Sequence, residues 1–186
     1  FPRTNIPPHF ESYAHYEKIV ADYLRIDSIS KSRQIWWKLR PHMDFGTIEF
    51  RMLDAQRSLS RTRMFIALAQ ALVYQASVDY KNNNLHESFS SEFLSDSLWK
   101  ASRFDFTSKI IDVNSDYVIT MEAKIRQMLN YATSALNMFG NAYIVSEIDD
   151  IIENGPEGDS QLNIFNSKGM AGLKQYLMDD VEYNIL

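Results

Sequence analysis

The sequence predicts an α+β fold with helix in excess, and three observations carry that reading. Long stretches repeat apolar residues at the spacing of one helical face. One region, about residues 35–54, alternates with period two instead, which is the signature of strands. The composition is globular: 186 residues, 45% hydrophobic, 23% charged and 13% aromatic, enough for one domain with a sizeable core or for a large piece of a bigger one.

Taken in order, residues 1–9 hold Pro2, Pro7 and Pro8 and read as an extended entry segment. Phe10, Tyr13, Tyr16, Val20 and Leu24 then recur at helical spacing, predicting an amphipathic helix over about 10–26. A polar, serine-rich connection over 27–33 leads into the strand region. There Ile35, Trp37 and Leu39 alternate with Trp36, Lys38 and Arg40, and after "PHMDFG" Thr47, Glu49 and Arg51 alternate with Ile48, Phe50 and Met52. Two antiparallel strands, about 35–40 and 47–54, joined as a hairpin are the simplest reading.

The run "LSRTRMFIALAQALVYQASVDY" is apolar almost all round, with Ser58 or Ser60 as its cap, and is expected at the centre of the core. A polar loop containing His86 follows, then a helix around Leu94, Leu98 and Ala101, and a short strand and turn in "SKIIDVNSDY". Residues 116–139 read as a long helix stopped by Gly140. Further helices are expected over about 141–153, 160–166 and 169–181. No internal repeat or low-complexity tract interrupts them.

The chemistry excluded by composition is broad. A net charge of −5 lacks the basic footprint that nucleic acid demands. The absence of cysteine removes disulfides, zinc-thiolate sites and thiol nucleophiles, and suits a reducing cytoplasm. No apolar run approaches the ~20 residues that span a bilayer, so the expectation is a cytoplasmic protein with neither membrane nor nucleic-acid partners.

What remains is concentrated on one strand face. Alternation puts Thr47, Glu49 and Arg51 on the same side of the second strand, and in a hairpin Lys38 and Arg40 share it. One carboxylate among cations suits an anionic, metal-bearing ligand such as a nucleoside triphosphate, with Glu49 as a hard oxygen donor to Mg²⁺ and the arginines clamping phosphate. It equally describes a solvated sheet face with cross-strand pairs worth roughly 0.2–1 kcal/mol each. Alternation alone leaves both open. Elsewhere the signals are bland: His9, His15 and His86 lack metal-ligand spacing, His42 reads as a solvent-facing loop residue, and Glu147, Asp149, Asp150 and Glu153 read as the wet face of a helix. Trp36 and Trp37 point to opposite faces, so one of them belongs to the core.

The wording of the region goes further. "IWWKLRPHMDFGTIEFRMLDAQRSLSRTRMFIALAQALV" resembles the signature of the carboxylate-amine ligases of the glutamate-cysteine ligase type 2 family: a tryptophan pair and Arg-Pro, Phe-Gly-Thr, Glu-x-Arg, then Asp and a long apolar helix. "IPPHFESYAHYE" is similar to the family's Pro-Pro-x-Phe segment, and "LWKASRFDFTSKIID" to its Trp-x-Ala-x-Arg stretch, with Asp105 where a glycine is often found.

The resemblance covers most of the chain and implies the glutamine-synthetase-like catalytic fold, with these strands part of a larger curved antiparallel sheet. It implies ATP-dependent joining of a carboxylate, usually that of glutamate, to an amine through an acyl phosphate, with ATP and Mg²⁺ as cofactors. By position, Glu49 would be a Mg²⁺ ligand, Arg51 would contact the transferred phosphoryl group, Arg40 would be a second phosphate or nucleotide contact and Arg103 would bind a substrate carboxylate, with Thr47 in support. It also implies that these residues form the C-terminal half of one catalytic domain, which fits the abrupt start at Phe1. The partner would be the N-terminal half that carries the other metal and ATP ligands, so the chain alone is expected to be inactive. A homo-oligomer is compatible with the sequence. The alternative is a non-catalytic binding or scaffold module that keeps the fold.

Overall fold

The computed structural model describes residues 3–85 and 90–185; the loop histidine His86 lies outside them. Helices dominate, and the strands form two separate antiparallel pairs. The chain divides into two compact units, the first comprising Phe1–Asp54 and Glu87–Trp99 and the second Ala55–His86 and Lys100–Leu186.

In the first unit, helix α1 (Tyr13–Arg25) begins at Ser12, whose side chain accepts from the His15 amide, as an N-cap should. Its end is a Schellman motif: Ser28 N donates to Tyr23 O at 3.0 Å and Asp27 N to Leu24 O at 3.2 Å, with Asp27 left-handed at φ 55°. A single 3₁₀ turn, Ser32–Gln34, follows. Strand β1 (Leu39–His42) pairs with β2 (Thr47–Phe50), setting Arg40 opposite Glu49 and His42 opposite Thr47. Gly46, at φ 60°, closes the loop between them where a side chain would be strained.

Both strands are shorter than the alternation predicts, and β1 starts later. The backbone of 36–38 is nonetheless engaged, because Trp36 N donates to Arg3 O at 2.9 Å and Lys38 N to Asn5 O at 3.1 Å. The entry segment thus runs beside the approach to β1. The core here is Tyr16, Val20, Ile29, Ile35 and Trp37. Trp37 is 3% exposed and Trp36 38%, so the tryptophan pair divides between core and surface as its alternation requires. The apolar face of β2 does not cover a helix: Ile48 and Met52 are exposed. On the polar face Arg40 is buried and reaches backbone carbonyls beneath it, while Thr47 and Arg51 are exposed.

The second unit is built on α2 (Leu59–Lys81) and α4 (Met121–Met138). Met64, Ala67, Leu68 and Ala71 of α2 pack with Leu129, Ala132, Ala135 and Leu136 of α4 and with Ile144 and Ile148 of α5 (Ile144–Asn154). Alanines at the contact let the helix backbones approach closely, and each helix buries one stripe. So α2 is central, but it is not enclosed on most sides: Ile66 and Tyr80, on the opposite face, are exposed. Helix α3 (Ser91–Arg103) straddles the boundary between units.

Residues 116–120 are not helical, against the reading of 116–139 as one helix. Val118–Thr120 form β4, paired with β3 (Lys109–Ile111), and Thr120 caps α4 by accepting from the Ala123 amide. The turn between the strands is fixed by buried Asp112, which accepts from Lys124 at 2.7 Å and from the Ser115 hydroxyl at 2.7 Å. Helix α6 (Glu157–Ile185) is broken at Gly169, φ 65°, where the sequence separates its last two helices. Arg57 holds it, pairing with Glu157 at 3.0 Å and lying 3.8 Å over the Tyr176 ring.

Two predictions follow from this packing. Gly140 ends α4 at φ 69° with nothing within 4 Å of an added Cβ, so Gly140→Ala should cost roughly 1 kcal/mol through the backbone alone and Gly140→Asn less, by urea unfolding. Tyr131, which donates to Asp79 at 2.5 Å, has its pKa pushed up to about 12 by burial and by that carboxylate. A phenol harder to ionise when folded stabilises below its unfolded pKa of 10.0 and loses that contribution as pH rises towards 12. The alkaline fall in unfolding midpoint should therefore be shallower in Tyr131→Phe.

Candidate functional site

The hairpin register brings Lys38, Arg40, His42, Thr47, Glu49 and Arg51 to one face of the first unit, because paired residues in an antiparallel sheet point the same way. Arg51 N donates to Lys38 O at 2.8 Å and extends the pairing past β2. Arg40 is 7% exposed; its Nη1 donates to Arg33 O at 2.6 Å and Ile35 O at 2.9 Å and its Nη2 to Glu49 Oε2, while its Nε is buried without a partner among the described residues. Arg51 Nη1 donates to the other carboxylate oxygen, Glu49 Oε1, at 2.8 Å. Glu49 is therefore clamped between two guanidinium groups, each on a different oxygen.

The electrostatics follow. Burial raises the Glu49 pKa, but the hydrogen bond from Arg51 and the charge and hydrogen bond of Arg40 outweigh it and hold the carboxyl below its ordinary value. Lys38 has no side-chain partner among the described residues. Three cations against one carboxylate leave the face with an excess of positive charge, which is what an anionic ligand requires.

Three further residues build the site, and alternation could not name them. Tyr16 of α1 donates its hydroxyl to Pro41 O at 2.8 Å and ties the helix to β1; burial raises its pKa, with Tyr13 adding and Arg40 opposing. The carbonyls of Arg33 and Ile35 hold Arg40, and only the fold brings them beneath it. His42 is not a solvent-facing loop residue: it ends β1, its ring stacks on Phe45 at 4.5 Å, and its Nδ1 is buried without a partner.

Arg103 is not in the unit that holds this group. It is the last residue of α3, is exposed and belongs to the second unit. The acidic residues of α5 are a wet, ion-paired face: Asp149 pairs with Arg126 at 2.9 Å and Glu147 accepts from Ser60 at 3.2 Å.

As hosts for the implied groups, these residues fit a polyphosphate well and Mg²⁺ in part. Arg51 and Lys38 are cations on an open strand face, and Glu49 is a hard oxygen donor whose oxygens each keep a lone pair beyond the arginine bond. Among the described residues no group of three or more acidic or histidine side chains could hold a metal.

Comparison with known proteins bears on the same stretch. Residues 1–175 match the pattern of glutamate-cysteine ligase family 2. The chain belongs to that family. Among its curated relatives, a protein of Solibacter usitatus named "Putative glutamate--cysteine ligase 2" is 28% identical over 186 residues, covering 100% of this chain and 48% of its own length. The protein of the same name in Chloroflexus aurantiacus is 30% identical over 165 residues, covering 89% of this chain and 42% of its own. The chain spans about half the length of these relatives. The family match includes all of Arg40, Glu49, Arg51 and Arg103. No helix among the described residues is long and apolar enough to cross a membrane.

Arg40→Met should lower stability by about 2 kcal/mol in urea unfolding, since it strands two carbonyls and Glu49 loses a buried partner; the value is modest because Glu49 keeps solvent access. The depressed Glu49 pKa gives a second test. Its contribution is present above the ordinary value of 4.5 and is lost as pH falls below it, so the acid limb of stability should be shallower in Glu49→Gln.

Proposed function

We propose that the Lys38, Arg40, Glu49 and Arg51 face is one wall of the active site of an ATP-dependent carboxylate-amine ligase, of the glutamate-cysteine ligase kind. The observation that carries this is Glu49 held, ionised and oriented, between Arg40 and Arg51 beside Lys38, which has no side-chain partner among the described residues. A carboxylate is a poor electrophile and must be activated before an amine attacks it. In the reaction a substrate carboxylate oxygen attacks the γ-phosphorus of ATP and ADP leaves; the amine then attacks the acyl carbon, phosphate leaves with the C–O bonding pair, and the amine gives up its proton. Both steps crowd anions together, and fixed cations lower that cost most where they need not reorganise.

Each side chain has a distinct part. Arg51 and Lys38 would contact phosphate oxygens, Arg51 turning from Glu49 without leaving the strand face. Arg40, tied to two carbonyls, acts by positioning Glu49 rather than by moving. Glu49 would give one oxygen to Mg²⁺, which supplies neutralisation of phosphate charge when bound. Thr47 supports the face, and Arg103 is the candidate for a substrate carboxylate. The remaining metal and nucleotide ligands are expected on the rest of a longer enzyme, in the cytoplasm, and this chain alone should not turn over.

The test is ADP release by the full-length protein with glutamate and a panel of amines, comparing Glu49→Gln and Arg51→Gln with the parent. Loss of about 10²-fold or more in kcat/KM for each is expected. Intact turnover in Glu49→Gln would overturn the metal assignment. If the folded parent releases no ADP with any pair but binds glutamate, a non-catalytic binding module is the better description.

A further inference from the structure

Two buried polar atoms on β1 have no hydrogen-bonded partner among the described residues. One is Nε of Arg40, a residue only 7% exposed, and the other is Nδ1 of His42. The two residues stand two apart in the strand, so their side chains leave the same face of it. Both line a cavity of about 10 Å³ that Tyr16 and Pro41 line as well. That volume is about the least that a single water needs, and buried donors and acceptors are seldom left unsatisfied.

The groups around the cavity are complementary to water. Arg40 Nε carries an N–H and can only donate, whereas a neutral imidazole with its proton on Nε2 leaves Nδ1 as an acceptor. Tyr16 gives its hydroxyl proton to Pro41 O at 2.8 Å, so its oxygen keeps the capacity to accept. About three hydrogen bonds are usual for a buried water, and one placed here accepts from Arg40 and donates to His42 and to Tyr16. The guanidinium opposes a cation, and the volume excludes a larger anion. The imidazole is kept from turning by Phe45, whose ring stacks on it with centroids 4.5 Å apart and planes inclined by 21°.

We propose that His42 is a positioning residue for Arg40, holding the guanidinium Nε–H through one buried water that Tyr16 shares. Nη1 is already on Arg33 O and Ile35 O, and Nη2 on Glu49. The bridge therefore gives each nitrogen of the guanidinium a fixed partner. A planar group bound at every nitrogen resists rotation about its Cδ–Nε bond, so the carboxylate it grips keeps its direction. His42 acts on the site through Arg40 alone. Its consequence for turnover rests on the ligase reading; the bridge itself does not.

NMR of the full-length protein carrying isotope-labelled arginine tests the bridge directly. In the parent, the Arg40 Nε–H should show a nuclear Overhauser contact to a bound water and exchange slowly with solvent. His42→Phe keeps a ring against Phe45 but removes the acceptor, so exchange should quicken by at least about 10-fold. His42→Asn offers an amide oxygen near the place of Nδ1 and should restore slow exchange. In ADP release, His42→Phe should lower kcat by about 10-fold with KM for ATP little changed, and His42→Asn should recover most of that loss. The proposal is overturned if the parent Nε–H shows no bound water, if it exchanges as fast as in folded His42→Phe, if His42→Asn behaves as His42→Phe does, or if His42→Phe loses the bridge yet keeps the parent kcat. A parent that releases no ADP sinks the ligase reading instead, and the exchange rates then decide the bridge by themselves.

Discussion

The first unit depends on how one buried guanidinium is satisfied. Arg40 sits mid-strand with almost no exposure, and its cost of burial is offset by the carbonyls of Arg33 and Ile35 and by Glu49. Those bonds do several things at once. They tie the strand to the 3₁₀ turn beneath it and orient the carboxylate that the face presents. Removing the cation would leave carbonyls and a carboxylate facing each other, which is why the pair specifies this arrangement more than it stabilises it.

The second unit rests on a different principle. Its helices meet at Ala67, Ala71, Ala132 and Ala135, so close backbone approach and interdigitating Met64, Leu129 and Leu136 replace charge as the organising contact. Its helix ends are closed locally: Asn83 and Gly140 take the left-handed position after α2 and α4, just as Asp27 does after α1. A shared local device thus ends helices in both units, with different side chains at the same backbone position.

The proposed site lies where local order and charge meet. Glu49 is neither a free surface carboxylate nor a buried one; it is partly exposed, ionised and held from two sides. That state combines readiness to bind a cation with resistance to drifting away from it. Arg51 and Lys38 lie further out on the same face, where a ligand can recruit them without breaking the contacts of Arg40.

Several features were legible in the sequence because they are properties of local geometry. Period-two alternation is enough to put Glu49 and Arg51 on one side and to divide Trp36 from Trp37, and the turn chemistry of Gly46 and Gly140 marks where elements stop. The family's motifs, read in order, identified the chain's family. Tertiary structure decided the rest. Alternation cannot tell which residues of a strand turn inward: Ile48 and Met52 are exposed, whereas Arg40 is buried against the carbonyls of Arg33 and Ile35. Val118 and Ile119 fit a helical repeat as well as a strand, and only pairing with β3 chose the strand. Periodicity reports the spacing of side chains along an element; what each of them meets is set by the chain folding back on itself.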